Sequence, residues 1–334
     1  MNKTIIIAEA GVNHNGDFAT AVKMIDVAAQ AGADYVKFQT AVPEQVISRF
    51  AEKAAYQKET TGSEESQLEM CRRIHLPLSA YQRLADICRE KGIGFMSTPF
   101  DLQSIDCLAP LGMDYWKIPS GEITNLPYLR KIASIGGRVI LSTGMSTLDE
   151  VEAAVKVLDY GGIGRDHIYL LHCTTQYPTP YSAVNLRAMS ALSTMRCAGV
   201  GYSDHTLGTE VAVAAVAMGA AVIEKHFTLD KTMEGPDHRA SLDPAELRLL
   251  VSQIRHIETA MGDGRKIVAE AERDNIVIAR KSIVAARDIA AGETFTEENL
   301  TVKRPGDGIS PMLWDFVVGK IAPRGFLADQ PVTL

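Results

Sequence analysis

The sequence predicts an α/β protein, a (β/α)8 barrel of the TIM type followed by a small, mainly β tail. Three observations lead there. Eight short β-branched runs alternate with helix-period segments up to residue 262. Such alternation makes a parallel sheet, and eight strands are the number that closes on itself. Nearly every run ends in titratable or hydroxyl side chains, and beyond residue 280 short strands and turns replace the helical rhythm. An open doubly wound sheet is the alternative. The Gly-rich "YGGIGRD" does not support it, because that piece follows a helix and precedes a strand, the reverse of a dinucleotide turn.

The strands are expected at "TIIIAEAGV" (4–12), "DYVKFQT" (34–40), "IGFMSTPF" (93–100), "DYWKIPSG" (114–121), "RVILSTG" (138–144), "IYLLHCTT" (168–175), "GVGYSDHT" (199–206) and "AVIEKHFT" (221–228). Between them lie amphipathic stretches; the first spaces Ala21, Met24, Ile25 and Ala28 at i, i+3, i+4, i+7. Gly32, Gly92, Gly112, Gly219 and Gly262 suit positions just past helix ends. Residues 41–76 form one long connection, and a loop of that length in a compact domain suits a lid over a site.

Bulk properties exclude several classes. The chain has 334 residues, 46% hydrophobic and 22% charged, which is enough for a large core. Its net charge of −7 is interspersed, so no basic nucleic-acid face is expected. No stretch approaches the ~20 apolar residues of a membrane span, and the apolar run before Glu9 is too short for a signal peptide. Five scattered cysteines without a C-x-x-C predict reduced thiols and a cytoplasmic location.

In a barrel of this type the active site lies at the C-terminal ends of the strands. Those ends carry Glu9, Asn13 and His14, then Lys37 and Gln39, Ser97 and Thr98, and Lys117, Ser120 and Glu122. Further on come Ser142 and Thr143, His172, Thr174, Thr175 and Tyr177, Ser203, Asp204 and His205, and finally Glu224 and His226. One polar strand end is ordinary; eight converging on one rim make a site. Strand parity puts His205 and His226 on one inward face of neighbouring strands, a pair suited to an open divalent metal site. Lys37 and Lys117 within apolar strands need anions. With Ser97, Thr98, Ser120, Ser142 and Ser203 they form a cradle for a phosphate and a carboxylate. Buried ion pairs with barrel carboxylates, or a Schiff-base lysine of a metal-free aldolase, are the other readings. A sugar- or ice-binding protein is the non-enzymatic one.

As a set, "IIAEAGVNHNGD", "VKFQT", "STPFD", "WKIPSGE", "ILSTGMS", "LHCTTQYPTP", "GYSDHT", "EKHFT" and "GPDHRAS" resemble the sialic acid synthases and their nonulosonate-forming relatives, in the family's order and over essentially the whole chain. The resemblance implies condensation of phosphoenolpyruvate with an N-acetylmannosamine-type sugar, giving N-acetylneuraminate and phosphate by C–O cleavage. It implies a divalent metal, Mn²⁺ with Mg²⁺ or Co²⁺ as alternatives, on His205 and His226. It places phosphoenolpyruvate on Lys37, Thr98, Lys117, Ser120, Ser142 and Ser203. Glu122 is implied to handle the attacking water and Glu9 to stand beside the reacting carbons, while Gln39, Tyr177 and Asp237 are implied to meet the sugar. Thr175 stands where some bacterial N-acetylneuraminate synthases have Asn, and "EESQLEM" resembles the legionaminate-forming branch. Its substrate, 2,4-diacetamido-2,4,6-trideoxymannose, is therefore the alternative sugar.

The expected domains are a barrel over 1–262, a polar linker over 263–279 and a tail over 280–334 with seven bases and seven acids. The tail resembles the antifreeze-like (SAF) β-clip domain of the same family. There it is swapped onto a partner's barrel, which implies a homodimer in which Arg304 reaches the sugar.

Overall fold

The computed structural model describes residues 3–51 and 65–334. It divides into two units, 1–263 and 264–334. The first unit holds eight parallel strands: β1 (Ile5–Gly11), β2 (Tyr35–Thr40), β3 (Gly94–Pro99), β4 (Tyr115–Ile118), β5 (Arg138–Ser142), β6 (Ile168–His172), β7 (Gly199–Asp204) and β8 (Val222–His226). Their ladder runs β3-β2-β1-β8-β7-β6-β5-β4, and its two end strands approach each other to close the barrel. All eight expected strands are present. The fourth and sixth stop short, because Ser120–Glu122 turns into a 3-10 helix after Pro119 and the chain leaves β6 after His172.

The helices form for local reasons that the sequence carries. In Phe18–Ala31, Asp17 caps the start by accepting from the Thr20 N–H, and Gly32 ends it in the left-handed region. Its buried residues, Ala21, Met24, Ile25, Ala28 and Ala31, include the predicted stripe. Capping boxes Thr147/Glu150 and Asp243/Glu246 start the helices Leu148–Tyr160 and Pro244–Ala260. Of the long connection, 52–64 lie outside the described residues. Its described parts are short helices at Pro43–Val46 and Gln67–Ile74, the latter boxed by Ser66 and Glu69.

The inner face of the barrel has two levels. The lower one is an apolar plug of Ile7, Met96, Tyr115, Ile140, Leu171 and Val222. Large and small residues alternate in it. A Cβ on Gly94 would lie 2.2 Å from the Tyr35 ring, so the tyrosine fills the space that the glycine leaves. Two residues further along each strand, the same inward parity carries Glu9, Thr98, Lys117, Ser142, Ser203 and Glu224, with Lys37 and Gln39 both above Tyr35 on β2. The outer faces pack on the helices as the main core.

In the second unit, β9 (Ser282–Ala285) and β10 (Leu300–Lys303) pair antiparallel, around a core of Ile283, Phe295, Leu300, Val317, Phe326 and Val332. A helix, Arg273–Ala279, lies within this unit ahead of β9. Among the described residues no helix is long and apolar enough to cross a membrane.

Candidate active site

At the upper level the lumen opens into a cavity of about 180 Å³. Its floor is a network of buried charges. Lys37 Nζ lies 2.8 Å from Glu9 Oε2 and 3.6 Å from Glu224 Oε2, and donates to Thr98 Oγ1 at 2.9 Å. Lys117 Nζ lies 3.3 Å from Glu224 Oε1, which also accepts from Ser203 Oγ at 3.1 Å. Gln39 Nε2 donates to Glu9 Oε1 at 3.1 Å. All four charged groups are under 5% exposed.

Burial sets the protonation of this floor. It would raise the Glu224 carboxyl, but Lys117 and Lys37 outweigh it and hold that group well below the usual carboxylate range. Glu9 goes the other way, because burial and the neighbouring Glu224 overcome the pull of Lys37. Burial also opposes charge on both lysines. Glu224 and Glu9 overcome it at Lys37, whereas Lys117 is pushed below its ordinary range. The two lysines are thus ion-paired within the barrel and face the cavity at the same time.

Above the floor sit two imidazoles. The rings of His205 and His226 are 5.7 Å apart. His205 Nδ1 donates to Thr174 O at 2.7 Å, which leaves its Nε2 with a lone pair. His226 Nδ1 is buried without a hydrogen-bond partner. Burial keeps both rings neutral: His205 is pushed down to about 4, and His226 well below its ordinary value. Tyr177 lies tilted over His205 at 4.1 Å and edge-on to His226 at 5.8 Å.

The third part is a small-residue wall. The Gly144 N–H donates to Ser120 Oγ at 3.0 Å, and that hydroxyl contacts Cys173 Sγ at 3.3 Å. A Cβ on Gly144 would lie 2.8 Å from Thr175, 2.9 Å from Ser120 and 3.0 Å from Cys173, so glycine is what keeps this wall open.

The cavity therefore gathers Glu9, Lys37, Gln39, Thr98, Lys117, Ser120, Ser142, Thr175, Tyr177, Ser203, His205 and His226. Three expected residues stand apart from its lining. Glu122 follows Ser120 and Gly121 but turns to Asn125, whose Nδ2 donates to it at 2.5 Å; burial raises its carboxyl. Asp237 is buried at the turn His238–Ala240, its carboxyl pushed up to about 6 by burial. Arg304 belongs to the second unit, exposed, with its Nε donating to Ala279 O at 3.1 Å.

Parity corrects part of the strand-end expectation. Ser97 faces outward and bonds Thr40 Oγ1 at 2.7 Å, so the cradle takes Thr98 without Ser97. His172 bonds Val184 O, Thr174 Oγ1 donates to Ala183 O, and Asn13 ties down Phe227 O and Ser241, all away from the floor. Sequence reasoning left Glu224 and Cys173 without a role, although both line the cavity. Counting by twos from the apolar plug, Val222 to Glu224 and Leu171 to Cys173, was the signal that finds them.

The donor set suits a divalent metal on two histidines, with positions left for substrate or solvent oxygen: both imidazoles are neutral, and the orphaned Nδ1 of His226 wants a partner. Among the described residues no group of three or more His, Cys, Asp or Glu side chains is arranged to hold one.

Comparison with known proteins agrees with this architecture. The NeuB family model matches residues 24–266, and the SAF domain model matches 280–334. The chain is 54% identical over 330 residues to the N,N'-diacetyllegionaminic acid synthase of Campylobacter jejuni, covering 99% of each chain. It is 46% identical to the enzyme of the same name from Legionella pneumophila, over 94% of this chain and 89% of that one. Among solved structures, the N-acetylneuraminic acid synthetase of Leptospira borgpetersenii superimposes with a TM-score of 0.73 at 35% identity, over 82% of this chain and 90% of that one.

Proposed function

Because the chain belongs to the NeuB family, we propose that it is a nonulosonic acid synthase of the transferase class, joining phosphoenolpyruvate to an N-acetylated amino sugar. The observation that carries this reading is the pair of buried lysines, Lys37 and Lys117, beneath two neutral imidazoles at the strand ends. The 54% and 46% identical relatives favour 2,4-diacetamido-2,4,6-trideoxymannose as the sugar over N-acetylmannosamine, which reverses the order of the two sugars expected from the motifs.

In this reading Lys37 and Lys117 hold the carboxylate and phosphate of phosphoenolpyruvate, with Thr98, Ser120, Ser142 and Ser203 as hydroxyl donors. These groups are fixed by the strands, so they stabilise departing phosphate without reorganising. Glu9, whose carboxyl is the more easily protonated, holds a proton beside the reacting carbons, while Glu224 stays ionised between the lysines. Glu122 handles the water that adds at C2, at the rim beside Ser120. His205 and His226 would hold a divalent metal, Mn²⁺ first, which when bound supplies a Lewis acid for the sugar aldehyde. A cytoplasmic reaction is in keeping with five scattered cysteines that form no C-x-x-C.

The test is phosphate release from phosphoenolpyruvate with each sugar, before and after chelation. Turnover at least tenfold faster with the diacetamido sugar, lost on chelation and restored by Mn²⁺, is expected. Preference for N-acetylmannosamine would return the function to an N-acetylneuraminate synthase, and full turnover in metal-free protein would remove the metal. Family resemblance further supports a swapped homodimer in which Arg304 serves the partner's barrel. Refolding Arg304→Ala with Glu122→Ala chains should then regain activity that neither has alone; mixed dimers without activity would exclude the swap.

A further inference from the structure

Behind the two histidines, on the outer face of the barrel, lies a charge pair to which the proposed chemistry gives no part. Lys225 sits between Glu224 and His226, and Asp204 between Ser203 and His205. By the period of two they point away from the lumen, and both are 1% exposed. Lys225 Nζ donates to Asp204 Oδ2 at 2.6 Å and to Thr206 O at 2.7 Å. The other carboxylate oxygen, Oδ1, accepts from the Thr206 N–H at 2.9 Å and from its hydroxyl at 2.8 Å. The ammonium and both carboxylate oxygens are therefore tied to one another and to Thr206, and Asp204 and Thr206 are the two residues that bracket His205.

Its place in the ladder matters. The β7–β8 register runs Tyr202 with Ile223, Ser203 with Glu224 and Asp204 with Lys225, and there it ends. His205 and His226 would form the next rung, and no backbone pairing joins them. His226 is held from its other side, since it pairs with Glu9 on β1 and the following Phe227 N–H donates to Glu9 O at 2.9 Å. His205 is held by the loop after β6, through Thr174 O at its ring and the Thr179 N–H at its carbonyl. Two side-chain ties cross the β7–β8 junction just below the histidine rung: Ser203 to Glu224 on the lumen side, and on the outer side, one rung nearer the histidines, the Lys225–Asp204 pair with Thr206.

Burying two charges costs free energy that an apolar pair of similar volume would not, so such a pair is poor at adding stability. Its best-attested use is to fix register. We infer that Lys225 and Asp204 are positioning residues, which set the separation of the His205 and His226 imidazoles and so the affinity of the site for a divalent cation. This rests on the metal reading above.

The experiment titrates Mn²⁺ into substrate-free protein, following free Mn²⁺ by electron paramagnetic resonance, for wild type, Lys225→Met, Asp204→Asn and the double variant. Each single change leaves one buried charge alone and should lower Tm. The double variant removes both charges and should regain much of that loss. Its Mn²⁺ affinity should nonetheless remain about 10–100-fold weaker, as when an outer partner of a ligand is removed. Phosphoenolpyruvate affinity should fall much less than Mn²⁺ affinity, because Lys37 and Lys117 lie on other strands and, of the groups assigned to hold it, only Ser203 adjoins the pair. A double variant that binds Mn²⁺ as tightly as wild type overturns the inference. If that variant does not fold, Thr206→Val, which removes one tie to Asp204 and keeps the ion pair, takes its place with the same criterion and a smaller loss. Wild type that takes up no Mn²⁺ sinks the metal reading instead. The positioning role is then read from the Cε1–H NMR signals of the two histidines, which should move in the variant; unmoved signals overturn it.

Discussion

The lower and upper levels of the lumen are built by the same strands with the same parity, yet one is a plug and the other a site. Ile7 gives way to Glu9, Tyr115 to Lys117, Ile140 to Ser142, Leu171 to Cys173 and Val222 to Glu224. Below, apolar and aromatic side chains fill the space, with no carboxylate, lysine or imidazole among them. Above, charges are taken from water and must find partners within the barrel, which is why Lys37 and Lys117 face Glu9 and Glu224. Stability is concentrated in one level and chemistry in the next, a single two-residue step along the strand.

The sharpest way to break this contrast is a matched pair of substitutions. Lys117→Met should cut turnover by about 10²–10³-fold, the size of effect seen when a fixed electrostatic donor is removed. Leu171→Ala should leave turnover of the folded enzyme near wild type and cost about 2–5 kcal/mol of stability. Denaturant melts and steady-state kinetics on both proteins read the two effects separately. Equal losses of activity would show that the levels are not independent.

Gly144→Ala sharpens the boundary of the upper level. Its methyl would fall within 3.0 Å of Thr175, Ser120 and Cys173, and relieving such a contact costs about 1–3 kcal/mol. The KM for phosphoenolpyruvate should rise about tenfold or more, a factor worth 1.4 kcal/mol, and Tm should fall by the few degrees that such an overpacking cost implies. An unchanged KM would move the phosphate away from this wall.

A pH profile separates the levels without mutation, since the carboxylates and imidazoles of the lumen belong to the upper one. Burial first, and Glu224 second, raise Glu9 to about 7 in the free protein. A polyanion beside it raises that value further, so binding favours the protonated acid and takes up a proton. Phosphoenolpyruvate affinity should therefore be level below this pKa and weaken as pH rises through it, by up to tenfold per unit. Glu9→Gln, compared by calorimetry, should lack the slope. A slope that persists in Glu9→Gln assigns the proton elsewhere.

The smallest effect is expected just outside the lumen. Ser97→Ala removes one partner of the Thr40 hydroxyl and should cost about 0.5–1.5 kcal/mol of stability, while kcat and KM stay at wild-type values. Any kinetic change would place Ser97 nearer the cradle than its outward parity puts it.

Much of this architecture was legible in the residues themselves. Strand count, the helix stripe of Ala21, Met24, Ile25 and Ala28, and the convergence of polar strand ends all follow from local periodicity, which the backbone imposes on any sequence. The histidine pair was legible too, because parity and strand adjacency place His205 beside His226. What tertiary structure alone decided is which buried charge meets which. Lys37 takes Glu9 from β1 and Glu224 from β8, and Lys117 reaches across to the same Glu224 from β4. Lys225, one residue away, points outward to Asp204. Ser97 and Thr98 part company in the same manner, one on the outer face and one at the cavity. Periodicity assigns a side chain to a face. Choosing its partner depends on barrel closure, which brings distant strands within a few ångströms and leaves each desolvated charge only the counter-charges that share its side of the wall.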